Sequence, residues 1–178
     1  MSIRYESLDE DVRQLMIAEL ARDIESSRLY ISPRLTEGGG QAWPELLREA
    51  FLEHDDDWLA SQIRLRGFMK TTKQRRTPKG GFTMARVPHI APETLAEGEF
   101  NRFYARGLCA HAIATGETEV EVCRGKEVRN PRPDSENMIG RQLPAHQLLE
   151  DLRTSQGVEP ALGLPRPNSG LTVRRVER

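Results

Sequence analysis

The sequence predicts an α+β fold: a mainly helical single domain with a small antiparallel sheet or hairpin and an extended C-terminal arm. Three observations carry this prediction. Apolar residues recur at three- and four-residue intervals over Val12, Leu15, Met16, Leu20 and Ile24, and again over Ala96, Phe100, Phe103, Tyr104, Gly107, Leu108 and His111, which is the period of a helix with one buried face. Val120 and Val122 alternate with Glu119 and Glu121, the two-residue period of a half-exposed strand. Beyond Thr154, Pro160, Pro165, Pro167 and several glycines leave little room for a helix. The 178 residues suit one domain over 1–153, with a basic loop or hairpin at 64–90, followed by the arm over 154–178.

The elements follow in order. Ser7, Leu8, Asp9 and Glu10 have the spacing of a capping box, so the first helix is expected over about Leu8 to Ser27. Leu29 to Leu35, interrupted by Pro33, reads as extended chain, and Gly38, Gly39 and Gly40 read as a flexible joint because backbone entropy opposes regular structure there. Pro44 suits the first turn of a second helix whose apolar face is Leu46, Leu47, Ala50 and Phe51. The run Asp55 to Asp57 can cap a third, carrying Trp58, Leu59 and Ile63 and stopping at Gly67. Phe68 to Pro92 has no helical period, and Gly80 with Gly81 suggests the turn of a hairpin. Pro92 then opens the helix that ends at Gly116, the centre of the core, with Phe100, Phe103, Tyr104 and Leu108 packed on Val12, Leu15, Met16 and Leu20. The strand from Glu119 can continue through Lys126 and Val128 until Asn130 to Asp134, with two prolines, end it. Pro144 starts a last short helix through Leu148, Leu149 and Leu152, and Leu171 and Val173 can join a sheet edge.

Charge is distributed unevenly. The chain holds 26 Lys plus Arg and 27 Asp plus Glu, a net of −1, but residues 1–57 carry 14 acidic and 6 basic side chains. From Trp58 to Pro92 there is no acid, while Arg64, Arg66, Lys70, Lys73, Arg75, Arg76, Lys79 and Arg86 add eight positive charges. A near-neutral total thus hides a dipolar chain. Hydrophobic residues at 37% allow a modest core. No stretch approaches the roughly 20 apolar residues of a membrane helix, and the N-terminus lacks a signal pattern, so a soluble, cytoplasmic protein is expected. Two cysteines give neither a disulfide framework nor a zinc site built on cysteine alone.

The basic block is the strongest functional signal. Phosphate-binding surfaces need several cations on one element, because affinity grows with the counterions released. Phe68 and Phe82 lie among these cations, and an aromatic ring beside cations can stack on an unpaired base. The competing readings are a solvated loop, or one that docks on the acidic N-terminal third of the same or a neighbouring molecule. No helix-turn-helix, zinc finger or RNP-like aromatic motif is present, so no sequence specificity is expected.

Other constellations are weaker. Cys109 and His111, two residues apart on a helix, point about 200° from each other and form no dyad, so Cys109 reads as a packing residue. His54 beside Asp55 to Asp57 could bind a divalent cation, but acids placed against a helix dipole explain the cluster better. His89, His111 and His146 have no paired ligand spacing. Glu119, Glu121 and Lys126 resemble the carboxylates and lysine of metal-dependent nuclease cores. Such cores want an acid two residues before the lysine, where this chain has Arg124. No P-loop, dinucleotide fingerprint or serine-hydrolase elbow occurs, and no cofactor or metal is expected.

The stretches Glu93 to Cys109 and Ala161 to Arg174 resemble uncharacterised proteins of bacterial and prophage genomes. That resemblance implies a phage or mobile-element context and brings no activity to any residue. The expected function is non-enzymatic nucleic-acid binding. Lys70, Lys73, Arg75, Arg76 and Lys79 would pair with phosphates within the element bounded by Arg64, Arg66 and Arg86, and Phe68 and Phe82 would stack. The alternatives are a self-assembling structural protein, as of a phage particle, whose acidic and basic surfaces pair between copies, and a metal-dependent nuclease.

Overall fold

The computed structural model describes residues 2–156, 160–164 and 168–177, and within them it has the expected mainly helical α+β architecture. Helix α1 (Glu10–Glu25) is capped by Asp9, whose carboxylate accepts from the Val12 amide at 3.0 Å. The capping box expected at Ser7 does not form, because the Ser7 hydroxyl instead accepts from the Arg175 amide at 3.0 Å. Helix α2 (Glu37–Glu53) corrects two expectations. Gly38 to Gly40 are its first turn rather than a joint, and Pro44 lies inside it rather than at its start. Thr36 caps that turn by accepting from the Gly39 amide at 3.0 Å. A Cβ at Gly39 would stand 2.8 Å from both Phe68 Cβ and the Phe68 carbonyl, so glycine serves close packing here. The far end of α2 is closed by Arg13, which donates to the carbonyls of Phe51 at 2.7 Å and His54 at 3.1 Å.

Helix α3 (Asp56–Leu65) starts as expected, with Asp55 accepting from the Trp58 amide at 2.9 Å, and ends before Gly67 at φ +63°. Strands β1 (Thr72–Arg76) and β2 (Phe82–Arg86) then pair antiparallel as the expected hairpin, with Gly80 at φ +84° in the turn. The long helix α4 (Ala91–Ala114) is the centre of the core, and it ends before Gly116 at φ +79°. Phe100, Phe103, Tyr104 and Leu108 are fully buried together with Val12, Met16 and Leu20, whereas Leu15 stays half-exposed outside that cluster. The two helices approach closely at Gly107, where a Cβ would lie 2.8 Å from Met16 Cγ and 2.9 Å from the Val12 carbonyl.

A second sheet follows, in the order β4-β3-β5 and antiparallel throughout, built from β3 (Glu119–Arg124), β4 (Gln142–Pro144) and β5 (Leu171–Arg175). Strand β3 stops at Arg124 instead of running to Val128. At Gly125 the chain passes against Ile3 and the Arg4 carbonyl, where a side chain does not fit. The single turn α5 (Pro133–Glu136) precedes β4, and α6 (Ala145–Thr154) follows it. The C-terminal arm folds back onto the body. Asp151 accepts from the amides of Ala161 and Leu162 at 2.9 and 2.8 Å, and Leu171 and Val173 join the sheet edge as expected. Pro165 and Pro167 lie outside the described residues. Among those described, no helix is long and apolar enough to cross a membrane.

Helix α4 is enclosed on nearly all sides, so its polar residues need partners within the protein. Arg106 is wholly buried and donates to Glu19 at 2.9 and 2.7 Å and to Asp23 at 2.6 and 2.9 Å, with its guanidinium 4.7 Å from the centre of the Phe103 ring. Arg153 of α6 adds a second cation on Glu19 at 2.5 Å. Replacing Arg106 with leucine leaves two buried carboxylates facing each other. The expected loss is about 3–5 kcal/mol of unfolding free energy. Urea denaturation checks it, and a loss below about 1 kcal/mol, the level of an exposed pair, would show that the cluster does not bind α1 to α4.

Candidate nucleic-acid interface

A strand pair without a core beneath it exposes whatever its sequence carries, and this one carries cations. The two strands hydrogen-bond only with each other, separately from the three-stranded sheet. The base of the hairpin is fastened to the body by backbone. The Lys70 amide donates to the Arg34 carbonyl at 2.8 Å, the Thr36 amide donates to the Phe68 carbonyl at 2.8 Å, and Leu35 bridges Met69. At the tip the Thr77 amide donates to the Gly81 carbonyl at 2.7 Å, and the Thr77 hydroxyl accepts from the Gly81 amide at 3.0 Å.

The register divides the hairpin into two faces. Thr72 lies opposite Arg86, Gln74 opposite Met84, and Arg76 opposite Phe82, so these six side chains share one face. Lys73 lies opposite Ala85 and Arg75 opposite Thr83, which gives the other face two cations and two small residues. Phe82 and Met84 are 66% and 64% exposed. Beside the turn, Arg75, Arg76, Thr77, Pro78 and Thr83 line a shallow hollow.

The ten residues singled out in the sequence fall into two groups. Among the described residues Arg64 is the one that meets a carboxylate, donating to Glu93 at 2.5 Å and to the His89 carbonyl at 3.1 Å, which joins the end of α3 to the start of α4. Arg66 donates to Gln62 at 3.1 Å and Lys70 to the Pro33 carbonyl at 3.0 Å. Phe68 is half-buried against the core at the hairpin base rather than standing free among the cations. Arg64, Lys70 and Phe68 hold the base, and Arg66 is bonded within the end of α3. Lys73, Arg75, Arg76, Lys79, Arg86 and Phe82 project beyond it, and among the described residues none of these five cations lies within ion-pairing distance of a carboxylate. The acidic third does not neutralise them: Glu45, Glu49 and Glu53 recur every fourth residue on the solvent side of α2, and none is paired with the hairpin.

The remaining constellations stay apart. Cys109 is fully buried, and burial pushes its thiol up to about 12. His111 stands near Arg175, whose Nη2 is 3.4 Å from its Nε2. The His54 ring stacks on Trp58 at 4.2 Å, and no group of three His, Cys, Asp or Glu among the described residues is arranged to hold a metal ion. Glu121 is engaged by Arg174 at 2.6 Å and Lys126 by Glu97 at 2.5 Å, so the structure brings neither to the other. No family model, curated protein or solved structure matches this chain.

Besides Glu19 and Asp23 around Arg106, sequence reasoning missed two further buried carboxyls. Asp56, read as an acid at a helix dipole, is 3% exposed, and burial raises it to about 7 against the opposing pull of the Ile3 amide. Glu99 is enclosed in α4, and burial raises it to about 7 against the attraction of Arg102. The available signal was the scatter of Glu99, Asn101, Arg102 and Arg106 around an otherwise apolar helix. A carboxyl raised in the folded state favours folding most below its unfolded value and loses that contribution as pH rises through about 7. Stability is therefore expected to fall from about pH 5 to about pH 7, by on the order of 2 kcal/mol per carboxyl, and to level off above. Asp56→Asn and Glu99→Gln should each flatten the profile. Denaturation across that range checks this, and a wild-type profile that rises with pH would contradict it.

Proposed function

We propose that this chain is a non-enzymatic nucleic-acid-binding protein whose interface is the Thr72–Arg86 hairpin. One observation carries the reading: five cations project from the hairpin, and among the described residues no carboxylate pairs with them. Lys73, Arg75, Arg76, Lys79 and Arg86 pair with backbone phosphates. Arg64, Lys70 and Phe68 set the base from which the hairpin stands out. With no base-reading motif behind it, affinity arises from counterion release and depends little on sequence. The resemblance of Glu93 to Cys109 and of Ala161 to Arg174 to uncharacterised proteins of bacterial and prophage genomes supports a phage or mobile-element setting.

Self-assembly is the second reading, and the exposed Phe82 and Met84 favour it, since an apolar pair on an open strand can meet another copy. Light scattering with and without oligonucleotide separates the two, because growth into ordered oligomers in the absence of nucleic acid supports assembly.

Binding measured by fluorescence anisotropy should weaken steeply with salt. Five phosphate contacts give a slope of log K against log salt of about −3.5 on single strands and about −4.5 on duplex DNA. Lys73→Ala, Arg75→Ala and Arg76→Ala combined should flatten that slope by about 2 to 3. Unchanged affinity in the triple variant would remove the hairpin from the interface.

A further inference from the structure

We infer that the hairpin takes a single-stranded nucleic acid, with Phe82 stacked on an unpaired base and the flanking phosphates held by the surrounding cations, among them Lys73 and Arg75 on the opposite face of the same strand pair. This rests on the nucleic-acid reading above and specifies its ligand.

The register supplies the argument. Side chains of β1 and β2 alternate strictly between faces, so the ring at Phe82, the thioether at Met84, the amide at Gln74 and the guanidinium at Arg76 share one face, with Thr72 and Arg86 at its far end, while Lys73 and Arg75 point to the other. The first set suits a base: an aromatic plane to stack on, an apolar neighbour beside it, and two groups able to hydrogen-bond a base edge. The second set suits phosphate alone. Arg76 lies directly across from Phe82, within the roughly 5 Å that separates cross-strand neighbours, so its guanidinium reaches the rim of a base resting on the ring.

A duplex fits this division poorly. Its bases are stacked on one another and present only their edges, so a ring 66% exposed finds no π-face without unstacking a base step. A strand pair laid in the major groove also turns one face to the bases and the other to solvent, which directs Lys73 and Arg75 away from the backbone. A single strand has neither restriction. It can pass over the edge of a hairpin about 16 Å long, setting a base on one face and its flanking phosphates against the other. The hollow lined by Arg75, Arg76, Thr77, Pro78 and Thr83 lies where such a strand would cross, beside the turn.

The test compares oligothymidine, oligouridine and a mixed-sequence duplex of the same length, by anisotropy at one salt concentration, against the full-length protein and Phe82→Ala. Phe82 is exposed and outside the core, so the substitution leaves the fold intact. The expected result is tighter binding of the single strands than of the duplex. Phe82→Ala should weaken single-strand binding about 5- to 100-fold and duplex binding less than about 2-fold. Phe82→Trp retains affinity, and its indole emission is quenched on saturation with a single strand, which charge pairing alone would not produce. Lys73→Ala with Arg75→Ala lowers affinity and the salt slope but leaves that quenching in place at saturation. Whether the deoxy or the ribo strand binds more tightly identifies the source, and either supports the inference. Duplex preference with Phe82→Ala indistinguishable from wild type overturns it and leaves the phosphate-binding reading standing. Absence of salt-dependent binding to any of the three overturns both.

Discussion

The Arg106 guanidinium, buried between Glu19 and Asp23, is the interaction on which the arrangement of the body depends. A buried ion cluster is a weak source of stability compared with apolar residues of the same volume, because desolvation offsets its Coulombic gain. Its physical consequence is specificity. Rotating α1 by one residue would move two carboxylates off the guanidinium and leave three charges unpaired in a dry interior, at several kcal/mol each. Burial alone works to raise Glu19, yet Arg153 and Arg106 hold its carboxyl below the usual carboxylate range. The same cluster fixes α6, since Arg153 projects from it and Arg102 of α4 donates to the Leu152 and Ser155 carbonyls at 3.0 and 3.1 Å.

Helix α4 also serves the three-stranded sheet. The outer edge of β5 would otherwise present unpaired backbone groups, a template for another strand. Asn101 donates to the Leu171 carbonyl at 2.8 Å, Tyr104 donates to the Val173 carbonyl at 3.0 Å, and Ser7 accepts from the Arg175 amide. Polar residues within a buried helix thus cap a strand edge, which explains why α4 lacks a clean apolar face. The body holds the ends of α3 and α4 in place, and the Arg64 link between them sets where the hairpin emerges.

Much of this was legible in the sequence where one local effect dominates. The period over Val12 to Leu20 placed α1 against α4, the Asp55 to Asp57 run started α3, and Gly80 with Gly81 marked the hairpin turn. Legibility failed where a distant residue reversed the local preference. Gly38 to Gly40 oppose helix on entropy alone, but the Thr36 cap and the approach of Phe68 to Gly39 outweigh that cost. Ser7 has the spacing of a cap and is diverted to β5, about 170 residues away in sequence. Phe68 and Phe82 look alike as aromatics among cations. Only the core separates them, burying one at the base and leaving the other at the tip.

The charge block was equally plain in sequence, and its fate in space decides what it can do. Opposite charges attract, so an acidic third and a basic middle could have folded together. They do not, because an exposed ion pair gains little over solvated charges and loses the entropy of two long side chains, too little to draw a hairpin away from its backbone-fastened base. The acids of α2 and the cations of the hairpin therefore remain separate surfaces of one molecule. At physiological salt the field of each fades within about 8 Å, so the acidic face does not cancel the attraction of the basic one for a polyanion that reaches the hairpin. On the proposed reading it would repel that polyanion elsewhere on the body and so orient approach toward the hairpin tip. Near-neutral net charge, which argues against nonspecific coating by nucleic acid, is in this way compatible with a single directed point of contact.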